Sequence, residues 1–174
     1  MENPAQWDTL ITIRHATQND LEALEWEGEY AHFRRVYADT YQRSQRGLSL
    51  LWVIDLPGKG IIGQAFVQLN SDRKELANGT DRAYIFAFRI RPAFRRKGLG
   101  SYLLKFIEND LLQRGYTSAT LNVAKDNPDA RRLYERHGYQ VVAEEPGQWS
   151  YPDQYGNWQR VNEPAWRMQK SLKA

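Results

Sequence analysis

No cysteine occurs in this 174-residue chain. That removes a disulfide framework, a thiolate nucleophile and a cysteine-based zinc ribbon together. Long hydrophobic runs are missing as well: no apolar stretch approaches the ~18 residues a membrane-spanning helix needs. Residues 1–8 lack the basic and apolar regions of a secretory leader. A cytoplasmic protein with no membrane partner is the simplest expectation. Charge of one sign is scarce, with 24 Lys+Arg against 21 Asp+Glu for a net +3. That balance suits a small anionic ligand and does not by itself call for nucleic acid. Only three histidines occur, His15, His32 and His137, far apart and without metal-ligand spacing. No metal is expected. No G-x-S-x-G elbow is present, which argues against a serine hydrolase of that type. Repeats, low-complexity tracts and linkers are absent too, so the reading is one domain over residues 1–174.

What is present describes a globular domain able to bury a core, 41% apolar and 26% charged. Six Trp and ten Tyr exceed what a core alone needs. Some should line a pocket or a small interface, and a homodimer stays open. Strands are expected at residues 10–13, 49–55, 61–69, 84–90, 117–123, 139–143 and 166–169. Thr17 with Asp20 reads as a helix N-cap, and helical character continues from Glu25 to Tyr41 with a break near Gly28. Leu99, Leu103, Phe106, Ile107 and Leu111 share one face of a helix ended by Gly115. Pro128 opens another helix, capped by Asn127 or Asp126 and stopped at Gly138. Residues 149–158 are aromatic and turn-rich. Tyr84, Phe86, Phe88 and Ile90 alternate onto one face of a half-buried strand. The order β-α-α-β-β-β-α-β-α-β-β makes a mixed α/β domain.

The most informative stretch is Arg95-Arg96-Lys97-Gly98-Leu99-Gly100, at a strand-to-helix turn. Glycines let a backbone come close to a ligand, and a helix N-terminus offers unpaired N–H groups and partial positive charge. A compact phosphate fits that description. A solvated rim is the plainer reading of the cations. A nucleic-acid surface, with Phe86 and Phe88 as stacking platforms, would call for a stripe of charge and not one crowded turn. Gly58-Lys59-Gly60-Ile61-Ile62-Gly63 also matches G-x-G-x-x-G. Strand-like residues follow it where a dinucleotide site needs a helix, so it reads as a hairpin turn.

Two further segments make the chain resemble a family. Asn127-Pro128-Asp129-Ala130 through Tyr134 to Gly138-Tyr139 is similar to the N-x-x-A-x-x-x-Y-x-x-x-G-F/Y motif of the GCN5-related N-acetyltransferases. Arg95 to Gly100 fits that family's R/Q-x-x-G-x-G/A loop, and Ile13-Arg14-His15-Ala16-Thr17 with Asp20 resembles its usual opening. The likeness spans about residues 11–169. It implies acetyl-CoA as donor, an amine as acceptor, and a mixed sheet splayed between its fourth and fifth strands to admit the pantetheine arm. Carried over by position, the backbone of Phe88, Arg89 and Ile90 pairs with the pantetheine amides. The N–H groups of Arg96, Lys97, Gly98, Leu99, Gly100 and Ser101 cradle the pyrophosphate. Asn127 contacts the cofactor arm, and Tyr134 points at the thioester sulfur.

Residue chemistry agrees. Arg95, Arg96 and Lys97 can add charge-assisted contacts to phosphate. A phenol with a pKa near ~10 keeps its proton at neutral pH and can protonate a departing thiolate. Tyr134 also reads as a core tyrosine beside Ala130 and Leu133. No general base is assigned: Glu27, Glu29, Asp55 and Asp81 lie in segments that could reach an acceptor, and each also reads as a surface charge. The acceptor site of this family is built from the first helices and the segment between the last two strands, here residues 26–41 and 148–166. Trp149, Tyr151, Tyr155, Trp158 and Trp166 with Asp153 and Glu163 suit a cationic amine, or else form a mini-core over the sheet end. The long last hairpin is also similar to that of aminoglycoside 6′-N-acetyltransferases. Aminoglycosides, polyamines, other small amines and peptide amines all stay open. A non-catalytic acyl-CoA sensor on the same fold is the alternative.

Overall fold

The computed structural model describes residues 6–173. Its helices are α1 (Trp7–Leu10), α2 (Arg34–Gln45), α3 (Leu99–Gln113) and α4 (Pro128–Arg136). Its strands are β1 (Thr12–His15), β2 (Ser49–Leu56), β3 (Gly60–Gln68), β4 (Arg82–Ile90), β5 (Ser118–Ala124), β6 (Gln140–Glu145), β7 (Gln148–Pro152), β8 (Trp158–Asn162) and β9 (Ala165–Ser171). Seven strands form one mixed sheet in the order β1-β2-β3-β4-β5-β9-β6. Only β4 and β5 run parallel, as expected for two strands joined by a helical crossover. The last strand, β9, inserts between β5 and β6, and β7–β8 is a separate hairpin.

The sheet is covered on both faces, which is why β2 and β3 read as near-continuous apolar runs. Leu99, Leu103, Leu104, Ile107 and Leu111 of α3 pack on one face with Trp52, Ile54, Val67 and Ile85. Leu24, Tyr37, Leu51, Val53 and Phe66 fill the other. Each such aliphatic side chain, fully buried, stabilises the fold by about 1.5–3 kcal/mol. The β2–β3 connection is a tight turn in which Lys59 N–H donates to the Leu56 carbonyl at 2.9 Å. The G-x-G-x-x-G stretch is therefore a hairpin running into a strand. Its last glycine, Gly63, is a packing glycine, since a Cβ there would lie 2.8 Å from Ile90 Cδ1.

Three local expectations are corrected, and the expected break near Gly28 is found. The first helical segment, Gln18–Glu25, is a 3-10 helix. Its apolar Leu21 and Leu24 are three residues apart, the 3-10 repeat, and both meet the core. The break near Gly28 is a left-handed run, with φ of +49° at Trp26, +56° at Glu27 and +107° at Gly28. Residues 7–10, the last of them expected in a strand, form α1, too short to show a helical period. The aromatic stretch 149–158 lies in two paired strands and the turn between them, Trp149 opposite Val161 and Pro152 opposite Trp158. Among the described residues no helix is long and apolar enough to cross a membrane.

Candidate active site

β4 and β5 pair over only four rungs, from Arg82–Ser118 to Ile85–Leu121. Beyond them β4 stays with β3, through Phe66–Phe86, Gln64–Arg89 and Gly63–Ile90, while β5 stays with β9. From Phe86 to Ile90, the edge of β4 that faces β5 therefore has no strand partner among the described residues. A bulge sharpens the divergence. The β3–β4 register skips between Gln64 and Phe66, and Ala87 sits at φ +51°. An extra residue bends and twists a strand and reverses its alternation. Tyr84 and Phe86 consequently point to the α2 side, whereas Phe88 packs with the α3 side. The expectation that Tyr84, Phe86, Phe88 and Ile90 share one face is thus overturned at Ala87.

The Arg95–Gly100 turn leads from β4 into α3. Gly98 is the N-cap residue of α3 at φ +77°, and Arg96 sits at φ +63°. Among the described residues, no acceptor pairs with the N–H groups of Arg96, Lys97, Gly98, Leu99, Gly100 or Ser101. Six successive donors at a helix N-terminus form a site for an oxyanion. The turn is held from both sides. Trp7, 0% exposed, donates its indole N–H to the Lys97 carbonyl at 2.9 Å. Arg95 Nε donates to the Ile90 carbonyl at 2.7 Å, so Arg95 ties the turn to β4 and the Ile90 carbonyl already has a donor. Gly100 faces Phe88 and Leu133, each 3.7 Å from where a Cβ would stand.

α4 begins at Asn127, whose Oδ1 accepts from Ala130 N–H at 3.2 Å. Asn127, not Asp126, is thus the cap. Tyr134 is 8% exposed, edge-on to Phe88 with ring centroids 6.2 Å apart. Burial pushes its phenol up to about 12, and the nearby Tyr84 hydroxyl adds to the rise. Tyr84 is itself raised to about 12 by burial and the Glu145 charge, with Arg73 and Asn122 acting the other way. His137, at the end of α4, bonds Ser101 Oγ through Nε2 at 2.9 Å.

On the α2 side the gap opens into a cavity of ≈ 450 Å³. Tyr84, Phe86 and Asn122 line it near the splay, Tyr37 and Arg89 along one wall, and Glu145 with Arg73 on the other. The β7–β8 hairpin overhangs it, Trp149 standing 6.1 Å from the Phe33 ring. The two segments expected to meet at the acceptor do meet, though fewer aromatics face the space. Tyr155 and Trp158 are 77% and 72% exposed. Trp166 lies under Lys125 and Arg131. Asp153 accepts from the backbone of Tyr155 and Asn157 and from Gln159, closing the hairpin turn.

A family model described as the acetyltransferase (GNAT) family matches residues 16–139. The chain belongs to this family. It is an N-acetyltransferase that takes its acetyl group from acetyl-CoA, as GNAT enzymes do. An uncharacterized N-acetyltransferase of Bacillus subtilis, YycN, is 26% identical over 135 residues, covering 74% of this chain and 81% of the relative. The mycothiol acetyltransferase of Corynebacterium diphtheriae is 28% identical over 123 residues, 70% of this chain but only 39% of that protein. Among solved structures, the ribosomal-protein-S18-alanine N-acetyltransferase of Escherichia coli shares the fold with a TM-score of 0.70 at 24% identity, over 95% of this chain and 96% of that one.

None of the carboxylates first considered as base lines the GNAT cavity. Glu27 pairs with Arg91 at 2.7 Å, Asp55 with Arg14 at 3.2 Å, and Asp81 accepts from Asn78 at 2.7 Å. Glu29 borders a separate cleft beside Trp26. Sequence reasoning missed the cavity's own polar groups: Tyr84, Arg73, Asn122 and Glu145. Glu145 ends β6, two residues past the expected strand end. Glu145 is only 7% exposed and is gripped by Arg73 at 2.7 Å and Arg167 at 3.3 Å, which holds its carboxyl below the usual range.

Proposed function

We propose that the chain works as one acetyltransferase domain that binds acetyl-CoA across the splay and acetylates an amine presented from the α2-side cavity. The observation that carries this reading is the run of acceptor-free N–H groups from Arg96 to Ser101, continuous with the unpaired edge of β4. The first suits a pyrophosphate and the second an extended chain of amides. Phe88 would pair with the pantetheine amides through its backbone, with Ile90 offering its N–H, since Arg95 occupies its carbonyl; Arg89, opposite Gln64, turns its own backbone groups to β3. Arg96 and Lys97 would add charge beside the phosphates. Asn127, committed to capping α4, would meet the arm through its remaining amide group.

When bound, acetyl-CoA supplies an activated acetyl thioester. An N–H on the free edge of β4 would donate to the carbonyl oxygen as charge gathers on it. Tyr134 would hold its proton for the departing sulfur. With no cysteine to carry an acyl group, the amine attacks directly in a ternary complex. The test pairs binding with turnover. Acetyl-CoA at about 100 times its Kd should stabilise the fold by about 2.7 kcal/mol, a rise of roughly 5–10 °C in Tm for a chain of this size. Thiol release should follow with at least one amine. Gly98→Asp, which puts bulk and negative charge at the donors, should abolish the shift. An undiminished shift in that variant would move the site elsewhere.

A further inference from the structure

The cavity carries a guanidinium without a counter-charge and an amide oxygen without a donor. Arg89 is a cavity-lining guanidinium without a carboxylate among the described residues. It bonds Tyr37 Oη at 3.1 Å and lies 4.3 Å over the Tyr30 ring and 5.6 Å from the Phe33 ring. The cavity's other arginine, Arg73, is neutralised by Glu145 and Glu75. Asn122, the first residue of β5 past the last rung with β4, has an Oδ1 sealed from solvent with no hydrogen bond. Arg89 stands four residues past that rung on β4. Both side chains line the same cavity.

A guanidinium stacked on aromatics with N–H groups to spare matches a carboxylate. An amide oxygen without a donor, at the splay where acetyl transfer takes place, matches an amine N–H. From this juxtaposition, and resting on the acetyltransferase reading above, we propose that the acceptor is a small amino carboxylate, its carboxylate on Arg89 and its amine at Asn122. The hairpin roof and the ≈ 450 Å³ volume set the size. The amine nitrogen forms the new bond to the acetyl carbon as the carbon–sulfur bond breaks. The thiolate takes a proton from Tyr134, the proton shed by the amine nitrogen restores the phenol, and the amide product keeps its free carboxylate.

The test is thiol release with acetyl-CoA from free amino acids and ω-amino acids of graded length, against the matching amino amides and against spermidine. The carboxylates should exceed their amides in kcat/KM by about 10- to 100-fold. Arg89→Gln should bring that ratio close to one, and Arg89→Lys, which keeps the charge and loses the planar fork, should restore part of it. Amides or spermidine used as well as the carboxylates would overturn the proposal and leave the acetyltransferase reading intact. Acetyl-CoA binding with no amine turned over would overturn both.

Discussion

Tyr134 keeps its proton for a physical reason that can be measured. Burial disfavours the phenolate and lifts the group to about 12. The acid form should persist throughout the neutral and mildly alkaline range. Tyr134→Phe keeps the ring against Phe88 and removes only the hydroxyl. It should leave the acetyl-CoA-induced Tm rise in place while lowering kcat about 100-fold. Unchanged kcat would take Tyr134 out of the acid role. A second residue-scale case lies at the start of the fold. The Arg14 guanidinium, 2.7 Å away, holds the Asp20 carboxyl below its usual value, helped by the Thr17 N–H and hydroxyl. A depressed folded-state pKa contributes stability above the unfolded value of about 3.9 and loses it as pH falls further. Asp20→Asn should therefore cost about 1 kcal/mol at pH 7, a modest figure because Arg14 is partly exposed. Urea titrations should show the gap to wild type closing below about pH 4.

At the scale of elements, the bulge in β4 decides what the site can be. Without Ala87 at positive φ, Phe88 would fall on the α2 side and leave Tyr134 with Tyr139 as its remaining ring partner. Ala87→Val places a β-branched side chain where φ is +51° and should destabilise by about 2 kcal/mol or more. Ala87→Gly, which trades strain for chain entropy, should stay near wild type. Equal stability of the valine and glycine variants, read by denaturant midpoint, would show that the bulge relaxes at little cost. A plain alternating pattern hides such a bulge, since one inserted residue changes no composition and only shifts parity. The α3 stripe was legible because five of its apolar residues repeat at helical spacing. The 3-10 segment was not separable from an α-helix, because a pair such as Leu21 and Leu24 fits both periods.

For the whole molecule, α1 shows how a distant segment acts on the site. Trp7 lies outside the region matched by the GNAT model, yet its indole N–H holds the carbonyl of Lys97 in the Arg95–Gly100 turn. Trp7→Phe keeps most of the packing and drops that bond. It should raise KM for acetyl-CoA several-fold, with kcat less affected, and lower stability by about 1–2 kcal/mol. A KM equal to wild type would limit Trp7 to the core. The proposed donor side was legible in the sequence without the structure. The Arg95–Gly100 turn, the Asn127 cap and Tyr134 lie within single strand–turn–helix units, where spacing along the chain translates directly into position. The proposed acceptor side needed the fold. Arg89, Asn122, Glu145 and Trp149 come from four strands that become neighbours through strand order, splay and a parity-reversing bulge. None of these leaves a local periodic trace, so no reading along the chain could bring those four side chains to one cavity.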